Sequence, residues 1–155
     1  MSTTGGRRTV ELEAEARDLV QASFDLADAV EVGRTLCSLG TERGLPIALE
    51  VWVGERLAFR AALPGSSPEN DDWLRRKVNT VRHFGRSSLA VRIGFEEAGT
   101  DFETDGGLPI TDYAAHGGGW PVVVEGVGIV GCIAVSGLPQ LDDHDLIVEA
   151  LRTRT

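Results

Sequence analysis

The sequence predicts an α+β fold: an antiparallel sheet with helices packed on its faces. Two pairs of short apolar runs, each joined by a glycine-containing turn, read as β-hairpins rather than as parallel strands with crossovers. Segments with apolar residues three and four apart stand before, between and after these pairs. At 155 residues the chain is long enough for one sizeable core and too short for two. A single domain over 11–155 is therefore expected, after a small, polar and basic tail over 1–10 that reads as disordered.

The elements follow in order. Residues 11–24 read as a helix with Leu12, Ala16, Leu19 and Val20 on one face, and Asp25 or Asp28 caps a second helix over 29–43. Pro46 to Val53 and Arg56 to Ala62 form a hairpin around Gly54-Glu55. After the breaker Pro64-Gly65-Ser66-Ser67-Pro68, a helix over 69–84 carries Trp73, Val78, Val81 and Phe84, with Trp73 and Lys77 four apart on one side. Residues 87–94 suit a helix or a short turn, and 96–108 read as a polar, partly irregular loop. Pro121 to Glu125 and Gly128 to Ser136 make the second hairpin. Asp142 or Asp143 opens a last helix whose Leu146, Ile147, Ala150 and Leu151 face the core.

Two strings in the last third invite functional readings that their surroundings reject. Gly126, Gly128 and Gly131 spell a dinucleotide-binding fingerprint, but β-branched Ile129 to Val135 reads as a strand where a helix is required. The glycines are better accounted for by a hairpin turn at 125–128 and by a bulge or close packing at Gly131. His116-Gly117-Gly118-Gly119 resembles an esterase oxyanion loop, yet no G-x-S-x-G nucleophile elbow occurs. What remains is a loop whose backbone donors can hold an anion in a nest, or else a flexible connection before Pro121.

Charge is informative in its distribution. The net value is −9, and no Lys or Arg occurs from Ile93 to Leu151. Arg75, Arg76, Lys77, Arg82 and Arg86 cluster in the third helix and just beyond it, and Lys77 is the only lysine. Such asymmetry suits an intersubunit contact, an anion site, or a solvated face that balances the acidic half. The overall sign disfavours nucleic acid. No apolar run is long enough for a membrane span and no signal peptide is evident, so a soluble cytoplasmic protein is expected. Cys37 and Cys132 read as buried thiols.

Several motifs together resemble one family. They are Trp73-Leu-Arg-Arg-Lys77, Val81-Arg-His-Phe84 with Ser87-Ser88, Asp112-Tyr113-Ala-Ala-His116-Gly-Gly-Gly119, Gly128-Ile-Val-Gly131, Val135-Ser-Gly-Leu-Pro-Gln140 and Asp143-His144. From about residue 10 onward the chain resembles the GlcG/HbpS-like haem-degrading domain family, in its small cytoplasmic branch. The resemblance implies a profilin-like sheet with helices on both faces, assembly into homo-oligomers, and haem as a possible cofactor that is bound and oxidatively degraded. It supplies no catalytic residue.

Haem requires an axial ligand, and His83, His116, His144 and Tyr113 are the candidates. His116 is preferred, because its glycine neighbours put it on a loop that can line a cleft. His144, in Asp-Asp-His-Asp, reads as a polar residue at a helix start. The ligand-binding set is thus His116, Gly117, Gly118, Gly119 and Tyr113, with Lys77 and Arg82 pairing with propionates or another carboxylate. Asp112, His116, Asp143 and His144 can each bind a divalent ion but lack the spacing of a strong site, so no metal is assigned. Glu96, Glu97 or Asp112 as general acid or base is weaker still, an acidic loop being usually solvated surface. Two function classes remain: a module that binds haem or another small anionic ligand, and a non-enzymatic homo-oligomeric interaction protein.

Overall fold

The computed structural model describes residues 3–154. Among these, six helices surround a four-stranded antiparallel sheet of order β2-β1-β4-β3. The strands are β1 (Ala48–Val53), β2 (Arg56–Ala62), β3 (Gly119–Val124) and β4 (Gly128–Ser136). Both expected hairpins are present, and β1 and β4 pair antiparallel at the centre, with Leu49 opposite Val135 and Val51 opposite Ile133. The predicted α+β class with helices on both faces is the observed one.

Strand alternation sends two sets of side chains to opposite faces. Leu49, Val51, Ile133 and Val135 point to the larger core, where α2 (Leu26–Arg43) and α6 (Gln140–Arg152) supply Val32, Leu36, Ile147 and Leu151. Ala48, Cys132 and Ala134 face the other way, under Leu74, Val78 and Val81 of α3 (Pro68–Phe84). The small residues on that face let α3 lie close to the sheet. Two further helices, α4 (Ser88–Glu97) and α1 (Thr9–Asp18), pack on each other beside the β3 edge through Leu12, Leu89 and Ile93. The short α5 (Phe102–Asp105) buries Phe102 against Phe84 and Phe95.

Capping sets most boundaries. Asp25 accepts from Asp28 N (3.0 Å) and Asp28 returns the bond to Asp25 N (2.8 Å), so α2 starts at Leu26, three residues earlier than expected. That cap also corrects the first helix, which ends at Asp18 rather than running to Phe24. An N-cap needs extended backbone before it, and Gln21 uses its own amide and carbonyl on Val123 O (2.8 Å) and Glu125 N (2.9 Å), covering the β3 edge. The ambiguous 87–94 stretch is helical because Ser87 Oγ accepts from Ala90 N (3.1 Å). The expected loop over 96–108 contains the end of α4 and all of α5.

At the other end of the chain, α6 opens at Gln140, ahead of both aspartates proposed as its cap. Of the ten residues expected as a tail, Met1 and Ser2 lie outside the described ones. Thr4 is buried, Arg7 grips Asp145 with two bonds of 2.7 Å, and Thr9 begins α1. Gly131 lies where β1 passes so close that a Cβ would meet Trp52 O, and the β3–β4 register shifts between its partner Val122 and Val123, opposite Ile129, so both the close packing and the bulge expected there occur. Cys37 and Cys132 are both free thiols.

Candidate functional site

A cleft of about 380 Å³ opens where α3, the glycine loop, the end of β4 and the start of α6 meet. Trp73 and Lys77 reach it from α3, His116 from the loop, and Gln140 and Asp143 from α6. Trp73 and Lys77 share the cleft because they stand one helical turn apart on the face α3 turns toward the sheet end.

Lys77 forms the floor. Its side chain is 4% exposed and that of Asp143 2%, with Nζ 3.1 Å from Asp143 Oδ2. The ammonium also donates to Val135 O (2.9 Å), and Asp143 Oδ1 accepts from Leu138 N (3.1 Å). Burial drives both groups toward neutrality: it lowers the Lys77 pKa and pushes Asp143 up to about 6, while their mutual attraction opposes each shift. The expected propionate partner is therefore already committed to an internal carboxylate.

The glycine loop is built into the fold, with all three glycines buried. Gly117 N donates to Gln140 Oε1 (3.1 Å) and Gly119 N to Ser88 Oγ (2.9 Å), so these two amides are taken before any anion arrives. Glycine is required by closeness: a Cβ on Gly117 would strike Gln140 O, and one on Gly118 would meet Val135 O and stand 2.8 Å from Lys77 Nζ. The nest foreseen for this loop is thus largely filled by the protein's own acceptors.

His116 is held by its backbone and leaves its ring in the cleft. Ser88 Oγ donates to His116 O (2.5 Å), and Arg92 Nε donates to Ala115 O. The imidazole stands edge-on to Trp73, with centroids 5.2 Å apart, and its side chain is 37% exposed. Burial lowers its pKa to about 4, with help from the positive charges of Arg92, Lys77 and Arg76. Although Glu103 Oε1 lies 3.8 Å from Nε2, that carboxylate is paired with Arg92, and the ring is neutral at physiological pH.

The other sequence candidates lie elsewhere. Arg82 stacks over Trp52 (4.9 Å) and donates to Gly54 O (3.0 Å) at the β1–β2 turn, so it does not join Lys77. Tyr113 packs beside His83, 5.8 Å between centroids, in the cluster around Phe102. His144 corrects its reading as a polar helix-start residue: its side chain is 1% exposed, with Nε2 2.7 Å from Glu15 Oε1. Asp112 is drawn to Arg75 (3.0 Å) and Asp143 to Lys77, which separates the four residues weighed as metal ligands. Ser88, Arg92 and Gln140 hold the site together, and sequence reasoning gave none of them that role. One signal pointed toward Asp143: a single lysine beneath an apolar helix face demands an acidic partner.

The comparisons agree with this architecture. The family described as haem degrading protein, HbpS-like, matches residues 24–152. The chain belongs to that family. A UPF0303 protein of Streptomyces coelicolor is 47% identical over 152 residues, covering 97% of this chain and 96% of the relative. Among solved structures, that of the Ybr137w protein superposes with a TM-score of 0.87 at 26% identity, covering 98% of this chain and 90% of the other. The complex of PduOC with haem shares the fold, with a TM-score of 0.69 at 16% identity over 86% and 94% of the two chains.

Haem needs an axial nitrogen or oxygen, a flat wall and a cation for its propionates. The cleft residues fit the first two demands, and the third falls to Arg76 beside the cleft. His116 presents a neutral imidazole and Trp73 an aromatic wall. Arg76 lies 4.2 Å above the Trp73 ring, with one terminal nitrogen on Ile110 O, the other 4.0 Å from Asp72 Oδ2, and its buried Nε without a hydrogen-bond partner among the described residues.

Proposed function

We propose that this protein binds a small anionic ligand, haem foremost, in the Trp73–His116 cleft, with His116 as the axial ligand. The observation that supports it is a neutral, partly exposed imidazole set edge-on to Trp73 in an open cleft, with Arg76 stacked over that indole. A protonated histidine has no lone pair to give a metal, so the depressed pKa makes the ring available at all physiological pH. Lys77 acts beneath the ligand: its ammonium holds Val135 O and Asp143, and through them the shape of the floor.

Anaerobic haemin titration followed by absorbance tests this. A saturable Soret shift that vanishes in His116→Ala and survives in His83→Ala is expected. No saturable shift, or one unaltered in His116→Ala, overturns the assignment. Admitting air and a reductant then reads oxidative turnover as loss of the Soret band.

A second reading, a homo-oligomeric interaction protein, is favoured by the apolar residues at one end of the sheet. Val127 is 72% exposed and Ile129 50% exposed at the β3–β4 turn. Exposed apolar residues of this kind mark contact surfaces. Light scattering on Val127→Asp/Ile129→Asp against the parent decides it: a fall in mass supports assembly through this end, and an unchanged mass removes it.

A further inference from the structure

A second cavity, sharing no lining residue with the His116 cleft, lies between α1 and the β3 edge. It measures about 110 Å³, and its walls are Leu12, Ala16 and Leu19 on one side and Ala90, Trp120 and Val123 on the other. Leu12, Ala16 and Leu19 recur at helical spacing, so one stripe of the α1 segment faces this space. The stripe is thin, since α1 buries only Leu12 fully.

Polar ties hold α1 in place. Arg7 binds Asp145 (2.7 Å), Thr9 N donates to Glu97 Oε2 (2.9 Å) and Glu15 meets His144 (2.7 Å). These ties set the height of the helix above β3, and Ala16 is too short to fill the gap beneath it. Apolar walls without partner atoms forgo dispersion contacts that an apolar group of the right size would restore. By comparison with an engineered cavity that takes benzene, the volume suits a group of roughly four or five carbon atoms.

The mouth carries one charge of each sign. Arg86 and Glu13 both line the cavity. Both are exposed, and neither makes an ion pair or hydrogen bond, with each other or with any other described residue. Every other arginine named at the His116 cleft is engaged by a neighbour. An apolar body with a cationic and an anionic head side by side complements this mouth. A bare carboxylate would face Glu13 as well as Arg86, and a bare amine the reverse.

We propose that this cavity is a binding site for a free aliphatic α-amino acid, its branched side chain between Ala16 and Trp120, its carboxylate on Arg86 and its ammonium on Glu13. The site is independent of the haem proposal. The α1 stripe precedes residue 24, where the family match begins.

The test follows the Trp120 indole N–H signal by NMR, with a thermal melt in parallel, as leucine is added to the full chain. A saturable shift of that signal and a rise in Tm are expected, and isovalerate and isoamylamine, each lacking one head, should bind about tenfold more weakly. Arg86→Gln, an exposed residue without a partner, should weaken leucine binding by about tenfold with the fold intact. Ala16→Leu should raise the Tm of the free protein and abolish the shift. No saturable shift with leucine, isovalerate binding as well as leucine, or undiminished binding in both variants would each overturn the proposal.

Discussion

Lys77 Nζ and Asp143 Oδ2, from helices on opposite faces of the sheet, meet 3.1 Å apart in a place almost closed to water. The ammonium also holds Val135 O, and the carboxylate holds Leu138 N, so the pair ties α3 to the end of β4 and the start of α6. The floor of the cleft is this pair.

Removing one partner should cost far more than removing both. Asp143→Ala strands a buried ammonium, and Lys77→Met a buried carboxylate; each should lose roughly 3–5 kcal/mol by urea denaturation. The double variant Lys77→Met/Asp143→Leu should recover most of that loss, because it leaves no uncompensated charge. A double variant that loses the sum of the two single losses would show that the pair contributes no mutual stabilisation.

Stability below pH 7 should reflect two opposed titrations. The Asp143 pKa is raised to about 6, so the folded state holds a proton that the unfolded chain releases, and this contribution fades as pH climbs from about 4 to about 6. The His116 pKa is lowered to about 4, so the unfolded chain binds the extra proton and stability grows over the same interval. Chemical denaturation at several pH values should show the two slopes separated: His116→Gln becomes less stable as pH rises through this window, and Asp143→Asn more stable. The same sign in both variants would reject the assignment.

Arg92 keeps His116 neutral by two means, its own charge and its hold on Glu103. In Arg92→Gln the carboxylate is released toward Nε2, 3.8 Å away, and the histidine midpoint should move up toward its ordinary value. An NMR titration of the imidazole checks this. An unchanged midpoint would leave burial, with the charges of Lys77 and Arg76, as the cause.

Glycines of the last third should differ sharply in tolerance. Gly118 has φ +120° and its Cβ would collide with Val135 O and crowd Lys77 Nζ, so Gly118→Ala should cost about 3 kcal/mol or more. Gly126 also has positive φ, +74°, but open space around it, and Gly126→Ala should cost only about 1 kcal/mol. Thermal melts of the two variants, compared with the parent, give the difference.

Ser88→Ala should act at the cleft from outside it. The hydroxyl donates to His116 O and accepts from Gly119 N, and its loss leaves a buried amide unpaired at a cost of about 1–3 kcal/mol. A weaker haemin affinity with an unchanged Soret position is expected, since the ligand atom stays and only its support goes.

Local patterns made much of this legible. Strands β2 and β4 have the bounds their alternation and turns indicated, because a hairpin is a short-range object whose register follows from its turn. Helix α3 was evident from its apolar spacing, and with it the shared side of Trp73 and Lys77. The first helix was overextended because Val20 and Phe24 continue its apolar spacing, while the competing claim on Gln21 comes from a strand a hundred residues away. His144 looked polar and terminal since its neighbours are aspartates, but the helix opens at Gln140, ahead of both cap candidates, Asp142 and Asp143, and turns the ring inward against Trp120.

The amino-acid sequence by itself determined the types of four helices and all four strands, the two hairpins, the antiparallel class and the family, all of which depend on residues close together in the chain or on motifs read in order. Only the tertiary structure decided which charges are inside, which glycine amides are already occupied, and that His116 rather than Tyr113 or Arg82 stands with Lys77 at one cleft. Those outcomes depend on contacts between α3, β4 and α6, where burial and a single opposing carboxylate outweigh any preference a residue carries on its own.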